Sequence, residues 1–200
     1  QIAREIAMDD KWKVGRVIAR PYIGTKEGHF TRTSNRHDYA LAPFSKTALD
    51  SLKDAGLDVI GVGKIPDIFV DQGITRKIKT VSNEDGMNKT IELASDNFNG
   101  LAFINLVDFD AVYGHRRNAA GYGKAIEEID TYIKPIIDAM EEYDLLIITA
   151  DHGCDPTVEG TDHTREKVPF LMYSKSLPSQ GNLGEIEGFD SIASFIRDWI

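Results

Sequence analysis

Cysteine is all but missing from this chain: Cys154 stands alone among 200 residues, which excludes an internal disulfide and fits a reducing compartment. Long apolar runs are missing too, and none approaches the roughly 20 residues a helix needs to cross a bilayer. Positive charge is scarce, with 23 Lys and Arg against 32 Asp and Glu and a formal net charge of -9. That balance argues against a nucleic-acid surface, although a net charge says little about a local pocket. Internal repeats, low-complexity tracts and flexible linkers are absent as well. The chain begins at Gln1 rather than Met, in polar, helix-compatible sequence. A piece of a longer protein is therefore expected, and the lack of a signal peptide carries no information.

What is present is enough for a core. A hydrophobic content of 42% over this length suits one domain or slightly more. Residues 14–19, 57–62, 101–107, 145–150 and 168–173 read as strands, with a short extended piece at 78–81. Between them lie helical patterns. Ser45 is the expected N-cap of a helix with Ala48, Leu49, Leu52 and Ala55 on its apolar stripe and Gly56 as its stop. Ser82 and Asp85 form a capping box for a helix through about Ala94. Residues 121–143 put Ile126, Ile129, Ile133, Ile137 and Met140 on one face, and Pro135 should kink or divide that helix. A last helix, 191–200, carries Ile192, Phe195, Ile196 and Trp199. Strands alternating with helices imply an α/β fold: a mainly parallel sheet covered on both faces. The one composition shift, near residues 39–43, is the expected domain boundary.

Chemistry gathers where two of these strands should end. The apolar run at 145–150 empties into Asp151 and His152, and the run at 101–107 empties into Asp108, Asp110 and His115. In an open α/β sheet the crevice beyond the carboxyl ends of the strands is where ligands bind. Neighbouring residues on a regular strand face opposite ways, so Asp151 and His152 can share an ion only where the strand has given way to a loop. Gly153 eases that break, and a turn at Gly160 would bring His163 back toward the same crevice. Carboxylate and imidazole donors, here Asp110, His115, Asp151, His152 and His163, suit Mn, Zn or Fe better than Ca or a thiolate-loving ion. A single Asp-His pair at a strand end also serves as a cap or a hydrogen-bonded pair. Three of five histidines placed beside aspartates in two such loops argue for metal binding.

Other residues leave two readings open. Arg16, Arg20, Arg32 and Arg36, with His37, form a basic island in an acidic protein. They are either solvated arginines or an anion site, since the guanidinium fork matches phosphate oxygens. Lys64, at the end of the 57–62 strand, is either solvated or meets a phosphate. Asp108 and Asp155 orient imidazoles or form turns. Nothing marks Cys154 as a nucleophile, so packing is its expected role, and His29 and His37 lack a carboxylate at strand-end spacing.

Four segments carry a resemblance. Val107-Asp108-Phe109-Asp110-Ala111-Val112-Tyr113-Gly114-His115-Arg116-Arg117 is one, and Thr149-Ala150-Asp151-His152-Gly153-Cys154-Asp155-Pro156-Thr157 is another. Together with Gly160-Thr161-Asp162-His163-Thr164-Arg165-Glu166 and residues 30–39, they resemble the signature segments of the phosphopentomutase family, within the alkaline phosphatase superfamily. The resemblance spans essentially the whole chain. It implies an alkaline phosphatase-like core, incomplete here, with residues 1–40 as the end of a small α+β cap domain and 41–200 as the carboxyl-terminal part of the metal-binding core. It further implies a cytoplasmic isomerase that interconverts ribose or deoxyribose 1-phosphate with the 5-phosphate, through a phosphothreonine and a bisphosphate.

Two Mn2+ ions belong to that resemblance, with Mg2+, Zn2+ or Co2+ as substitutes. Carried over by position, Asp110, His115 and His163 would hold one ion and Asp151 with His152 the other. An aspartate and the nucleophilic threonine that complete the second site are not in this chain. Arg16, the backbone of Ile18, Arg32 and Lys64 would meet the substrate, whereas Arg20, Arg36, Arg116, Arg117 and Arg165 carry a structural reading as readily as a functional one. Partners would be pentose phosphates and a sugar bisphosphate activator, with neither nucleic acid nor membrane. Metal ligands alone do not separate this activity from a phosphoglycerate mutase or phosphohydrolase of the same superfamily. A metal-binding or interaction module without catalysis is the reading from a different class.

Overall fold

The computed structural model describes residues 2–9, 11–12, 14–33, 37–177 and 180–200. A short helix, Ile2–Ala7 (α1), precedes four short strands, Arg16–Ala19 (β1), Tyr22–Ile23 (β2), Thr31–Arg32 (β3) and His37–Ala40 (β4). They form two antiparallel ladders, β1 with β4 and β2 with β3. Pairing sets the ends of β1, because Arg16 opposite Ala40 is the last register match.

The regular α/β pattern then begins. In order come Ala48–Asp54 (α2), Asp58–Val62 (β5), Ile65–Ile68 (α3), Arg76–Ile78 (β6), Asn83–Ala94 (α4) and Gly100–Ile104 (β7). Strands β6, β5 and β7 make a three-stranded parallel sheet with β5 in the middle. Both faces of β5 are covered, as its unbroken apolar run requires. Val59 packs among Leu49, Leu52, Ile65 and Ile74 on one side. Ile60 and Val62 pack with Leu93, Phe98 and Ile104 on the other. The sheet is thus sandwiched between α2 and α3 on one face and α4 on the other.

Caps and strand ends differ from the sequence expectation in instructive ways. Thr47, not Ser45, caps α2: its backbone N–H donates to Asp50 Oδ2 at 2.7 Å while its hydroxyl accepts from Asp50 N. Thr47 wins because the aspartate three residues on completes the reciprocal pair. At α4 the Ser82 hydroxyl accepts from Asp85 N, but Asp85 Oδ2 reaches past the cap to Val81 N at 2.9 Å. β7 stops at Ile104, where its register with Val62 ends, so residues 105–108 leave the sheet as a loop. The extended piece expected at 78–81 lies earlier, as β6.

After β7 comes one π-helical turn, Phe109–Gly114, and then the long helix Ala119–Ala139 (α5). Pro135 does not divide α5. Ile129 and Ile133 before the proline and Ile136, Ile137 and Met140 after it all pack in the cluster around Met87 of α4, which ties both halves to one neighbour. Ile136 is buried there, while Ile126, expected on the same face, is 53% exposed. Strands Leu146–Thr149 (β8) and Phe170–Tyr173 (β9) pair antiparallel, since the chain between them contains no crossover helix. Asp190–Trp199 (α6) closes the fold: Phe195 meets Phe170 with ring centroids 5.4 Å apart, and Trp199 Nε1 donates to the Tyr143 carbonyl at 2.8 Å. Among the described residues no helix is long and apolar enough to cross a membrane.

Candidate metal centre

The π-helical turn is what brings Asp110 and His115 together. In an α-helix a step of five residues lands about 140° around the axis, so two such side chains diverge. A bond closing five residues apart widens the turn and brings them nearly into line. That bond is present, with His115 N donating to the Asp110 carbonyl at 3.0 Å, and His115 Nε2 lies 3.2 Å from Asp110 Oδ1. Gly114 permits the turn to dock: a methyl group there would sit 2.3 Å from the Cys154 sulfur.

The second half of the cluster arrives on the loop after β8. His163 Nε2 also lies 3.2 Å from Asp110 Oδ1. The His163 ring stacks on His152 with centroids 3.6 Å apart and faces His115 at 4.9 Å. One ligand atom each from Asp110, His152 and His163 lies within 4.8 Å of the others. Asp151 is the outlier. Its carboxylate is 73% exposed and 3.7 Å from His152 Nε2, on the outer side of the group. So the structure gathers Asp110, His115, His152 and His163 closely and leaves Asp151 at the rim.

Hydrogen bonds decide which ring nitrogen is free. His115 Nδ1 is 2.6 Å from the Thr161 carbonyl oxygen, and His152 Nδ1 is 3.0 Å from that of Gly153. A carbonyl only accepts, so each Nδ1 carries a proton, and in the neutral ring Nε2 is the nitrogen left with a lone pair. His115 Nε2 then faces the Asp110 carboxylate oxygen at 3.2 Å. Positive charge between the two, supplied by a proton or a metal ion, satisfies such a pair. Ligand atoms on a tetrahedral ion with bonds near 2.1 Å stand about 3.4 Å apart, close to the spacing seen. The donor set, all oxygen and imidazole nitrogen, fits a borderline divalent ion.

A sequence profile described as the "Metalloenzyme superfamily" matches residues 19–199. This chain belongs to the metalloenzyme superfamily. Membership implies use of a divalent metal, which accords with the cluster around Asp110, and the α/β core with its parallel sheet is the alkaline phosphatase-like fold expected of such a metalloenzyme. Curated relatives in this superfamily are similar along almost the whole chain. A protein described as "Phosphopentomutase" from Clostridium botulinum (strain Alaska E43 / Type E3) is 55% identical over 198 residues, which is 99% of this chain and 50% of the relative. One of the same description from Agathobacter rectalis is 56% identical over 198 residues, with the same two coverages. The chain therefore spans about half the length of the curated relatives it matches, and it resembles phosphopentomutases there.

Around the metalloenzyme cluster, Asp108, Asp155 and Cys154 serve the local architecture. Asp108 ties the loop to α4: its Oδ2 accepts from Asn83 N at 2.7 Å while its own N–H donates to Asn83 Oδ1. Asp155 accepts from both the hydroxyl and the N–H of Thr157, and the hydroxyl first of all holds its carboxyl below the ordinary range. The imidazoles are oriented instead by main-chain carbonyls. Cys154 is buried 3.6 Å from Asp110 Oδ1, and burial, then the negative Asp110, pushes its thiol up. A thiol so disposed packs and does not attack.

The expected substrate residues are spread more widely. Arg16 and Ile18 share the outer face of β1, and the half-exposed Arg16 lies 3.7 Å from the Asp38 carboxylate. Arg32 pairs through its backbone with Tyr22 in the other ladder; its side chain and that of His37 lie outside the described residues, as does all of Arg36. Lys64 lies between β5 and α3, as the N-cap residue of α3, and lines a cavity of about 380 Å3 with Lys79, Thr80, Ser82 and Asp108. Arg20, Arg165 and His29 are exposed, and Arg116 reaches the Ala111 carbonyl at 3.4 Å.

Glu166 escapes the sequence reading, and Arg117 takes the structural side of the two readings open to it. Glu166 accepts from the Thr164 hydroxyl at 2.8 Å, and its carboxylate fills the space over Gly153, where a methyl group would meet it at 2.5 Å. Arg117 grips the His163 loop by three carbonyls. The Arg117 contacts and the filling of the space over Gly153 leave no mark in the sequence, because a bare Cα and main-chain oxygens are announced by no residue type.

Proposed function

We propose that these residues are the carboxyl-terminal portion of a phosphopentomutase that interconverts ribose or deoxyribose 1-phosphate with the 5-phosphate. In this reading residues 1–40 end a cap domain, residues 41–200 belong to the core, and the enzyme works in the cytoplasm. The single observation that supports it most is identity near 55% over 198 residues to proteins of that description. The reaction would pass through a phosphothreonine and a sugar bisphosphate, with the threonine and one carboxylate ligand contributed by the half of the relatives' length that this chain does not span.

Asp110, His115 and His163 would hold one Mn2+, and Asp151 with His152 a second. The stacking of His152 on His163 suits two ions about 4 Å apart. Bound there, divalent ions supply charge neutralisation to phosphate oxygens, which is most of what phosphoryl transfer asks of a site. The chain's own residues do the rest. The carbonyls of Thr161 and Gly153 keep the protons of His115 and His152 on Nδ1, so the Nε2 lone pairs stay directed at the centre. Lys64 and Lys79, which line a cavity with Asp108, would offer positive charge to a sugar phosphate, and Arg16 and Arg32 with the backbone of Ile18 would retain the distal phosphate of the bisphosphate.

A phosphoglycerate mutase or phosphohydrolase would use the same ligands, so substrate choice is the test. The complete protein loaded with Mn2+ is assayed on ribose 1-phosphate, p-nitrophenyl phosphate and 3-phosphoglycerate, with a trace of sugar bisphosphate. Ribose 5-phosphate is the expected product. Its absence, with turnover of either other compound, would assign the other activity.

A further inference from the structure

We infer that Arg117 is the positioning residue of this centre, a staple that sets the loop carrying His163 in register with Asp110. The inference rests on reading the cluster as a cation site and is independent of which phosphate ester is the substrate. Arg117 Nε donates to the Gly160 carbonyl at 2.5 Å, Nη1 to that of Asp155 at 2.7 Å and Nη2 to that of Asp162 at 2.8 Å. His115 Nδ1 takes the carbonyl between those of Gly160 and Asp162, that of Thr161, at 2.6 Å. Three consecutive carbonyls are therefore held by two side chains that stand two residues apart. His163 is the next residue, and its ring meets Asp110 and His152.

The arrangement uses what only arginine has. Its planar guanidinium carries five donors in a fixed fork, whereas a lysine ammonium is a compact point on a flexible stem. The other edge of the loop is closed separately, with Thr164 N donating to the Gly153 carbonyl at 3.1 Å and Asp155 N to the Thr164 hydroxyl at 2.7 Å. Removing the staple thus leaves the loop attached at its base and free at its tip. The tip is where Thr161 fixes the His115 proton, so both imidazoles lose their orientation together. Arg117 itself sits at φ 53°, a left-handed conformation that costs any side chain but relaxes for glycine. This separates backbone from side chain: Arg117→Gly suits the backbone and loses the fork, and Arg117→Lys keeps one donor group.

The test compares wild type, Arg117→Lys, Arg117→Ala and Arg117→Gly by calorimetric Mn2+ titration and by amide hydrogen exchange of the metal-free protein. Loss of the fork is expected to weaken Mn2+ binding by about 10- to 100-fold, the range for groups that orient metal ligands, equally in Ala and Gly variants. Lysine should recover part of it. Exchange should quicken at residues 155–163 and stay unchanged in β5 and α4. A folded Arg117→Ala that binds Mn2+ as tightly as wild type, or whose loop exchanges no faster, overturns the inference. A Gly variant that behaves like wild type overturns it too, since backbone strain would then be the cause. Wild type that binds no Mn2+ refutes the cation-site reading instead, and the exchange comparison alone then decides for or against the staple.

Discussion

A methyl group on Gly114 would sit 2.3 Å from the Cys154 sulfur and 3.0 Å from the Phe109 carbonyl oxygen, closer than atoms tolerate in a packed interior. Gly114→Ala is therefore expected to destabilise the protein by about 1–3 kcal/mol, the usual cost of overpacking. The sulfur is the worse clash, and the Cys154 β-carbon stands at an ordinary 3.4 Å. Adding Cys154→Ala should then recover much of the loss in a thermal melt, and a double variant no more stable than the single one would place the clash at the carbonyl. This contact explains why Cys154 lies beside the centre without taking part in it. At the same scale, the gathering of Asp110, His115, His152 and His163 was readable from aspartates and histidines placed just past two apolar runs. The grip of Arg117 and the place of Glu166 over Gly153 were less legible, because both lie against backbone.

Element by element, the legible features were those that repeat. The unbroken apolar run of β5 and the four-residue rhythm of α5 appear where periodicity puts them. Ends were less legible, since they depend on partners: β7 stops with its register to β5, and the α2 cap goes to the residue whose aspartate completes the pair. The π-helical turn was invisible, because it differs from an α-turn by one residue in its hydrogen bond and leaves no composition signal. The loop after β8 makes a pH prediction. The Thr164 hydroxyl, foremost, holds the Glu166 carboxyl below the ordinary range, and the Thr157 hydroxyl does so for Asp155. A depressed carboxylate binds fewer protons folded than unfolded, so its stabilisation is complete above the ordinary value near pH 4 and fades as pH falls through the folded one. Melting temperature should drop on the acid side of about pH 4, less steeply in Glu166→Gln. An equal slope in that variant would show that other carboxylates govern the acid limb.

For the molecule as a whole, metal binding and turnover should come apart. The candidate cluster is assembled from residues between Asp110 and His163, on elements anchored to the buried β5 sheet and to the α4–α5 pair, so under the proposed reading these 200 residues are expected to bind a first ion. Transfer of a phosphoryl group requires more under the proposed reading: a threonine to carry it and a carboxylate to complete the second ion's shell, both assigned to the half of the relatives' length not spanned here. The chain on its own should take up Mn2+ in calorimetry and give no ribose 5-phosphate from ribose 1-phosphate. His163→Ala should lower the Mn2+ uptake, because Asp110 loses the imidazole that stands 3.2 Å from its Oδ1. Turnover by the pure 200-residue chain would place the phosphate acceptor within it, and Mn2+ content unchanged by the histidine substitution would move the ion elsewhere. The two measurements fail independently, since one reads an acceptor hydroxyl and the other a coordination shell.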